Sequence, residues 1–466
     1  MILIGGAMLV VALAWVSFRD RFGSAPPPIA APANLGELDP QVRSHLVALA
    51  TEAGKAPGES RHRSELGLAL AVNGLWADAR TSFLNAIQLG EPGPLPGMYA
   101  AVALQEMGDP AGAALEFERL VEQFPGAGPA WYRLGLARIA LGEMKAAEDA
   151  FSRVTRLTPE EWRGWAGLGE VRLRQGRAAE ALEPLERAVQ LDPLARTAYH
   201  LLGQAYQATG RPSEAAAARA AGRSQTVGPM PDAWSPRALA HMRLLPDQFE
   251  KADALIAAGR FPDAIGLLRE ALRFHPTNVS VVVRLARALT ASGGWDEAGH
   301  LLESARLGKP DEPGLLVASS EAAAAGGRVA EALELARRVV ELTPRWAEAH
   351  VAEANARLAA GEDGAAVEAL ECAHRHAPTE VGLLLQIGDI EWRNLGQREK
   401  AWERFHEAYA LDPIHPGTLE RMTELAIERG ALEEAEKLLS ELGRLRVDGA
   451  AWTELEAALR RRKAGR

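Results

Sequence analysis

Pro129 to Pro159 reads PAWYRLGLARIALGEMKAAEDAFSRVTRLTP, and its landmarks return in WRGWAGLGEVRLRQGRAAEALEPLERAVQLDP, residues 162–193. Trp131 recurs as Trp165, Leu134 as Leu168, Gly135 as Gly169, Gly142 as Gly176, Ala147 as Ala181 and Pro159 as Pro193, each thirty-four positions on. A fixed period of that length marks an internal repeat, and a repeat decides the fold before any single residue does.

Within the unit, apolar or small residues fall at Trp131, Leu134, Gly135, then at Ala147, Phe151, Val154 and Leu157. Steps of three and four predict two amphipathic helices. Gly142 lies between them and suits the left-handed backbone that ends one helix, while Glu143-Met144-Lys145 opens the next. Pro159 stops the second helix, because it has no amide proton and disfavours helix for its predecessor. Gly135 and Ala147 are small enough for two helices to approach closely, and Trp131 and Phe151 are placed to fill the space between hairpins. One hairpin cannot bury both of its faces, so neighbours must stack.

The pattern resembles the tetratricopeptide repeat, with Trp, Leu, Gly, Ala, Phe and Pro at that family's signature offsets. What the resemblance implies is an all-α solenoid of about eleven helix hairpins, whose concave face, lined by the first helix of each repeat, binds peptides or other proteins. Together with the N-terminal apolar run, it resembles the bacterial membrane-anchored type. Some proteins of that type carry a C-terminal metal-binding cysteine cluster, and this chain departs from them: Cys372 is its only cysteine. That excludes an intramolecular disulfide and a four-cysteine metal site.

Working outward, the glycines count the repeats. Gly74, Gly108, Gly142, Gly176 and Gly210 step by thirty-four, as do Phe83, Phe117 and Phe151, which gives five repeats over 59–222. From Gly210 to Gly259 the step is forty-nine, and residues 223–246 carry Gly228, Pro231, Trp234 and Pro236 with no hairpin signature. This insertion reads either as a hinge or docking loop, or as a surface excursion with one short helix packed on the neighbouring hairpin. Gly259, Gly293, Gly327 and Gly361 resume the step, Gly396 arrives one residue late, and Gly430 follows at thirty-four. Six repeats therefore fit 247–449, although Val282, Leu316 and His350 stand where the family has an aromatic.

The ends have their own character. Residues 1–18, MILIGGAMLVVALAWVSF, contain no charged side chain. About eighteen residues of helix span roughly 27 Å, near the thickness of a bilayer core. They read as one transmembrane helix, with Trp15, Phe18 and Phe22 at the interface and Arg19 and Arg21 beyond. The rival readings are a cleaved secretory signal, which would lack its basic start, and a buried apolar helix. The expected location is the plasma (inner) membrane through a single N-terminal anchor. Arg19 and Arg21 favour a cytoplasmic array, Asp20 between them offsets the bias, and either side is compatible. Residues 19–36 are a Pro/Ala-rich spacer, 37–58 a capping helix with Val42, Leu46 and Leu49 on one face, and 450–466 a C-terminal capping helix with a basic end.

Chemistry is sparse. Net charge is −10 with acids and bases interspersed, which argues against a general nucleic-acid binder. No Gly-rich phosphate loop, serine elbow or paired-histidine zinc signature occurs, so neither a cofactor, a resident metal nor a small-molecule substrate is expected, and the chain does not read as an enzyme. Cys372, His374 and His376 form the one metal-like cluster, with Cys372 and His376 four apart; ordinary helix-end histidines are the competing reading. Asn278-Val279-Ser280 fits a glycosylation triplet but lies where a helix starts, which suits a cap. Arg460 to Lys463 form a basic run of the kind that usually ends a solvated helix.

In this register the resemblance implies that the ninth position of each repeat points into the groove. It holds Leu68, Val102, Leu136, Glu170 and Gln204 in the front block, and Asp253, Arg287, Glu321, Asn355, Asp389 and Glu424 in the rear. An apolar helix or extended segment is expected to dock in front and a basic or polar segment behind, unless the acids are only solvated surface. The lysine and asparagine pairs by which some family members clamp a C-terminal carboxylate are missing here, so chaperone-tail binding is not implied. The sequence thus reads as a membrane-tethered scaffold for protein or peptide partners that supports assembly of a membrane or envelope complex. A regulatory or targeting subunit of a separate enzyme is the alternative.

Overall fold

The computed structural model describes residues 26–29, 32, 35–223, 228–445 and 449–464. The expected anchor at 1–18 lies outside them, as does most of the 19–36 spacer. Among the described residues there is no strand, and no helix is long and apolar enough to cross a membrane.

The described residues form two compact units, those within 1–141 together with 231–243, and those within 142–230 together with 244–466. Unit 1 holds α1 (Pro40–Lys55), α2 (Ser60–Val72), α3 (Trp76–Gln88), α4 (Leu95–Glu106), α5 (Pro110–Gln123), α6 (Gly128–Ala140) and, from the later segment, α12 (Ser235–Ala240). Unit 2 holds α7 (Met144–Leu157), α8 (Trp162–Arg174), α9 (Ala178–Leu191), α10 (Arg196–Ala208) and α11 (Pro212–Ala221). It continues through α13 (Leu245–Ala257), α14 (Phe261–Phe274), α15 (Val279–Ala291), α16 (Trp295–Arg306), α17 (Pro313–Ala325), α18 (Val329–Leu342), α19 (Ala347–Ala359) and α20 (Asp363–His376). It ends with α21 (Val381–Asp389), α22 (Arg398–Leu411), α23 (Pro416–Arg429), α24 (Leu432–Arg444) and α25 (Gly449–Ala464).

Local chemistry explains the rhythm. The turn glycines that count the repeats all have positive φ, 76° at Gly142 and 75° at Gly176, a conformation open to glycine at little cost. Proline begins α1, α5 and α11, where its missing amide proton is not needed. Asp39 and Asp109 cap the first two of these, accepting from Gln41 N and Gly112 N at 2.8 Å each. Large rings lie on glycines both inside and between pairs: Phe83 faces Gly67 of its own pair and Phe151 faces Gly167 of the next, where an added Cβ would stand 2.6 and 2.5 Å from the ring. Phe83, Phe117, Phe151 and Phe405 are 0% exposed, and full burial of such a ring stabilises by about 1.5–3 kcal/mol.

The repeated tryptophans share one environment. Trp131 Nε1 donates to Pro125 O at 3.0 Å, and Trp165 Nε1 donates to Pro159 O at 2.9 Å. Each ring therefore bolts its helix to the proline that closed the preceding one. His350, where the aromatic is replaced, does the same through Nε2 to Pro344 O at 2.9 Å. Val282 and Leu316, the other two replacements, are 4% and 1% exposed and fill the site without that bond.

The one-residue slip between Gly361 and Gly396 has a structural location. A π-helical turn, Ile390–Asn394, ends the helix begun by α21, the usual way a helix absorbs a single extra residue. It turns Glu391 and Trp392 inward, to 3% and 5% exposure, and Trp392 Nε1 donates to Glu428 Oε2 at 3.0 Å.

Unit 2 is closed on itself. Ala221 at the end of α11 shares a core with Ile414, Leu419 and Leu445, so the fifth pair is covered by the last ones. Arg196 on α10 makes a two-pronged ion pair with Asp412, Nη1 to Oδ1 at 2.9 Å and Nη2 to Oδ2 at 2.6 Å. The far end is capped by α25, whose Trp452 donates to Leu439 O at 3.2 Å. In unit 1, the described part of the Pro/Ala-rich stretch lies against the first pair: Arg63, 1% exposed, donates to Pro27 O at 2.9 Å and Asn85 to Pro28 O at 2.9 Å.

Candidate partner-binding face

The ninth-position residues divide by unit. In unit 1, Leu68 is 0% and Val102 5% exposed, and Leu136 is half-buried. Leu68 and Val102 are therefore covered and not open to solvent. Leu68 belongs to a core that includes Trp234 and Ala238, both from the segment 231–243. That segment, the strap, is the core of the 223–246 insertion, and its short helix α12 packs on α2 of the first pair.

The strap is held by side chains in one register of the first helices. Glu65, Tyr99 and Arg133 stand thirty-four apart, on α2, α4 and α6. Glu65 Oε1 accepts from Arg237 Nε at 3.1 Å and Nη2 at 2.8 Å, and Oε2 lies 2.8 Å from His241 Nε2. Tyr99 donates its hydroxyl proton to Asp232 Oδ2 at 3.2 Å. Trp234 packs on the touching rings of Tyr99 and Phe83, with ring centroids 5.6 and 6.2 Å away. Asn73 donates to His241 O at 3.0 Å and accepts from Arg243 N at 3.2 Å, pinning the strap's far end.

Electrostatics agree with that geometry. Burial raises the Glu65 carboxyl, but hydrogen bonds from His241 and Arg237 outweigh it and hold it below the usual carboxylate value. Burial, then the Asp232 carboxylate, pushes the Tyr99 phenol above its ordinary range. Burial lowers Arg133, while Tyr132, Glu106, Tyr99 and Asp232 draw it back up. His45 on α1 stands 3.0 Å from His241 Nδ1 through Nε2, and burial together with Arg243 and His241 lowers it to about 4. The carboxylate and the two imidazoles thus form a line, with His45 neutral, that ties α1, α2 and the strap.

In unit 2 the acids of the ninth position are met by arginines. Glu170 pairs with Arg174 at 2.8 Å, Asp253 with Arg284 at 3.5 Å, Asp389 with Arg421 at 2.7 Å and Glu424 with Arg393 at 2.9 Å. Arg287 bridges Glu321 at 2.9 Å and also reaches Glu348. Burial raises the Glu321 carboxyl despite Arg287. Gln204 is exposed and lies 2.9 Å from His200, and Asn355 is half-buried. The rear face is therefore a lattice of ion pairs more than an acidic trough. The exposed pair of Glu424 with Arg393 contributes about 0–1 kcal/mol, so an incoming charge can exchange with it at little cost.

The remaining candidates are kept apart. Cys372 Sγ accepts from Arg375 at 2.8 Å, His374 lies 3.5 Å from Glu407, and His376 stacks on His350 with centroids 5.7 Å apart. No group of three histidine, cysteine or acidic side chains among the described residues is placed to hold a metal ion. Asn278 caps α15, accepting from Val281 N at 3.2 Å. Lys463 pairs with Glu436, and Arg460 with Glu456 at 2.8 Å. An apolar cleft of about 410 Å³, lined by Tyr199, Leu202, Tyr409, Ile414 and Leu445, opens where unit 2 closes.

Sequence reasoning missed the sixth-position ladder and the strap that occupies it. The ladder was visible as an acid, an aromatic and an arginine at a thirty-four-residue step; the strap's destination was not, because it matches no period.

Two family models described as tetratricopeptide repeat match the chain. One covers residues 100–161, 141–196 and 166–226, the other 255–318 and 395–459, together more than half of it. No curated protein matches. Among solved structures, yeast Tom70 is 14% identical, covering 87% of this chain and 96% of its own with a TM-score of 0.42. The Cut9 and Hcn1 hetero-tetramer of the APC/C provides a chain 18% identical, covering 84% and 82% at 0.40. A thermophilic TPR protein of Thermus thermophilus is 27% identical over 39% of this chain and 99% of its own, at 0.33.

Proposed function

Because this chain belongs to the tetratricopeptide repeat family, we propose that it is a protein-binding scaffold, tethered to a membrane through residues 1–18, that holds partner segments on its first-helix faces during assembly of a membrane or envelope complex. One observation carries the reading: the face of unit 1 already grips a stretch of polypeptide through side chains repeated at the period of the fold, Glu65 and Tyr99 to Arg237 and Asp232. A face that can hold this chain's own segment is built to hold polypeptide. The tether is supported by the uncharged run of residues 1–18.

The rear face is the one for a basic or polar partner, with Asp253 and Glu424 carrying the attraction, because their side chains keep 57% and 46% of their surface exposed. Crosslinking in the native membrane, followed by identification of what is bound, tests the scaffold reading directly. A stable partner whose capture drops on replacing Asp253 and Glu424 by lysine is the expected result. Capture of nothing at any position sinks the scaffold; capture unaffected by both lysines removes the charged rear face. A reporter fused after Arg466 reads the side of the membrane. In the regulatory-subunit alternative, one catalytic partner would dominate the capture and change its activity when bound.

A further inference from the structure

The strap has the form of a ligand. It lies outside the thirty-four-residue rhythm, and its own backbone is pre-ordered: Asp232 Oδ1 accepts from Trp234 N at 2.7 Å and Ser235 N at 3.1 Å, starting α12. Its grip is concentrated in a few side chains. Trp234 is 6% exposed and Ala238 7%, whereas Leu239, one residue on, is 58% exposed. Aromatic and arginine anchors ringed by weaker contacts are the energetic pattern of a peptide in a binding site, not of a core element.

The contacts are also specific in chemistry and spacing. From the strap, an acid (Asp232), a tryptophan two residues later (Trp234), an arginine three further (Arg237) and a histidine four beyond that (His241) meet Tyr99, the Phe83 and Tyr99 rings, and Glu65. Arg237 also lies over the Trp234 ring, 4.9 Å from its centroid, which fixes the arginine's reach toward Glu65. A peptide needing only apolar burial would require none of these polar matches.

We infer that the strap is an internal ligand, and that the unit 1 face takes a partner protein's segment with the same pattern, acid-x-aromatic-x-x-arginine, which binds by displacing it. The inference deepens the scaffold reading and rests on it. Being part of the chain, the strap acts at an effective concentration on the order of millimolar, so an outside segment of equal intrinsic affinity competes poorly while the strap is seated. The strap is thus both the pattern of the partner and the bar to it.

The probe is a fluorescent peptide of residues 230–243, MPDAWSPRALAHMR, titrated into the full chain and read by anisotropy. The native chain should bind it weakly. Arg237→Glu, which sets a carboxylate of the strap against Glu65 on α2, should bind it at least tenfold more tightly, with an unchanged circular-dichroism spectrum. Trp234→Ala is the second opening variant. Adding Glu65→Arg to Arg237→Glu should reseat the strap and abolish the gain. Equal affinity of the native chain and both variants overturns the internal-ligand role. Absence of binding to variants with native spectra overturns the recognition pattern. A chain that fails here yet still captures partners through Asp253 and Glu424 loses the strap's role and keeps the scaffold.

Discussion

Arg196 and Asp412 are 216 residues apart in sequence and joined by two hydrogen bonds of 2.9 and 2.6 Å. Asp412 is 4% exposed, and Arg196 also donates to Ala221 O at 3.1 Å, so one guanidinium binds the carboxylate and the end of α11 together. The fifth helix pair has no periodic neighbour after it, since the chain leaves for the strap. Its open end is covered instead by a late part of unit 2. Removing one member of a mostly buried pair leaves the other uncompensated.

Asp412→Ala is accordingly expected to destabilise this closure by about 3 kcal/mol. Hydrogen exchange should quicken in α10 and α11 while α17 to α20 stay protected. The double variant Arg196→Met with Asp412→Leu should recover most of the loss. Equal protection of α10 in the native and Asp412→Ala chains would show the pair to be incidental.

The indole bolts make a smaller, comparable prediction. Trp165→Phe keeps the ring and removes only the donor to Pro159 O, costing about 0.5–1 kcal/mol. His350→Phe should cost the same, because His350 makes the same bond to Pro344 O. Denaturant midpoints would show it, and a loss confined to the tryptophan site would mean that the histidine does not stand in for it.

Glycines separate packing from propensity. At Gly167 an added methyl would stand 2.5 Å from the Phe151 ring, so Gly167→Ala should destabilise by about 1–3 kcal/mol. Gly266 is exposed in the middle of α14 with nothing within 4 Å of the same position, so Gly266→Ala should stabilise by about 0.5–1 kcal/mol. Thermal melts of the two variants should move in opposite directions.

Stability should also fall in mild acid. His45 is held near 4 in the folded chain against 6.5 as its ordinary value, so the unfolded chain binds the proton first. The stability present above pH 6.5 is lost as pH drops toward 4, and the loss is complete below that. His415, lowered chiefly by burial, adds in the same direction. His45→Phe should flatten the dependence between those limits; an unchanged slope in denaturant titrations at pH 7.5 and 5 would contradict it.

What could be read from the sequence was whatever repeats. The step of thirty-four set the helix pairs, and the late Gly396 marked a place where one residue had to be absorbed, found as the π turn at Ile390–Asn394. His350 looked like a weakened match, yet its nitrogen reaches the carbonyl that the indoles use. Non-repeating contacts were not legible. Nothing near Asp412 announces Arg196, and nothing in 231–243 names Glu65 as its destination, because such pairings are fixed by three-dimensional closure and leave no periodic trace. For the same reason Leu68 and Val102 read as groove positions, while the tryptophan over that surface was out of view.

The strap's place in the gene sets a clock. Ninety-one residues separate Ala140, the end of the last helix whose ladder it reads, from Pro231, where it begins. At roughly 5–20 residues per second of synthesis, the ladder emerges from the ribosome on the order of ten seconds before its cover does. A nascent chain therefore passes through an interval in which Glu65, Tyr99 and Arg133 face no competitor, and a partner made nearby meets its easiest opportunity before translation has finished.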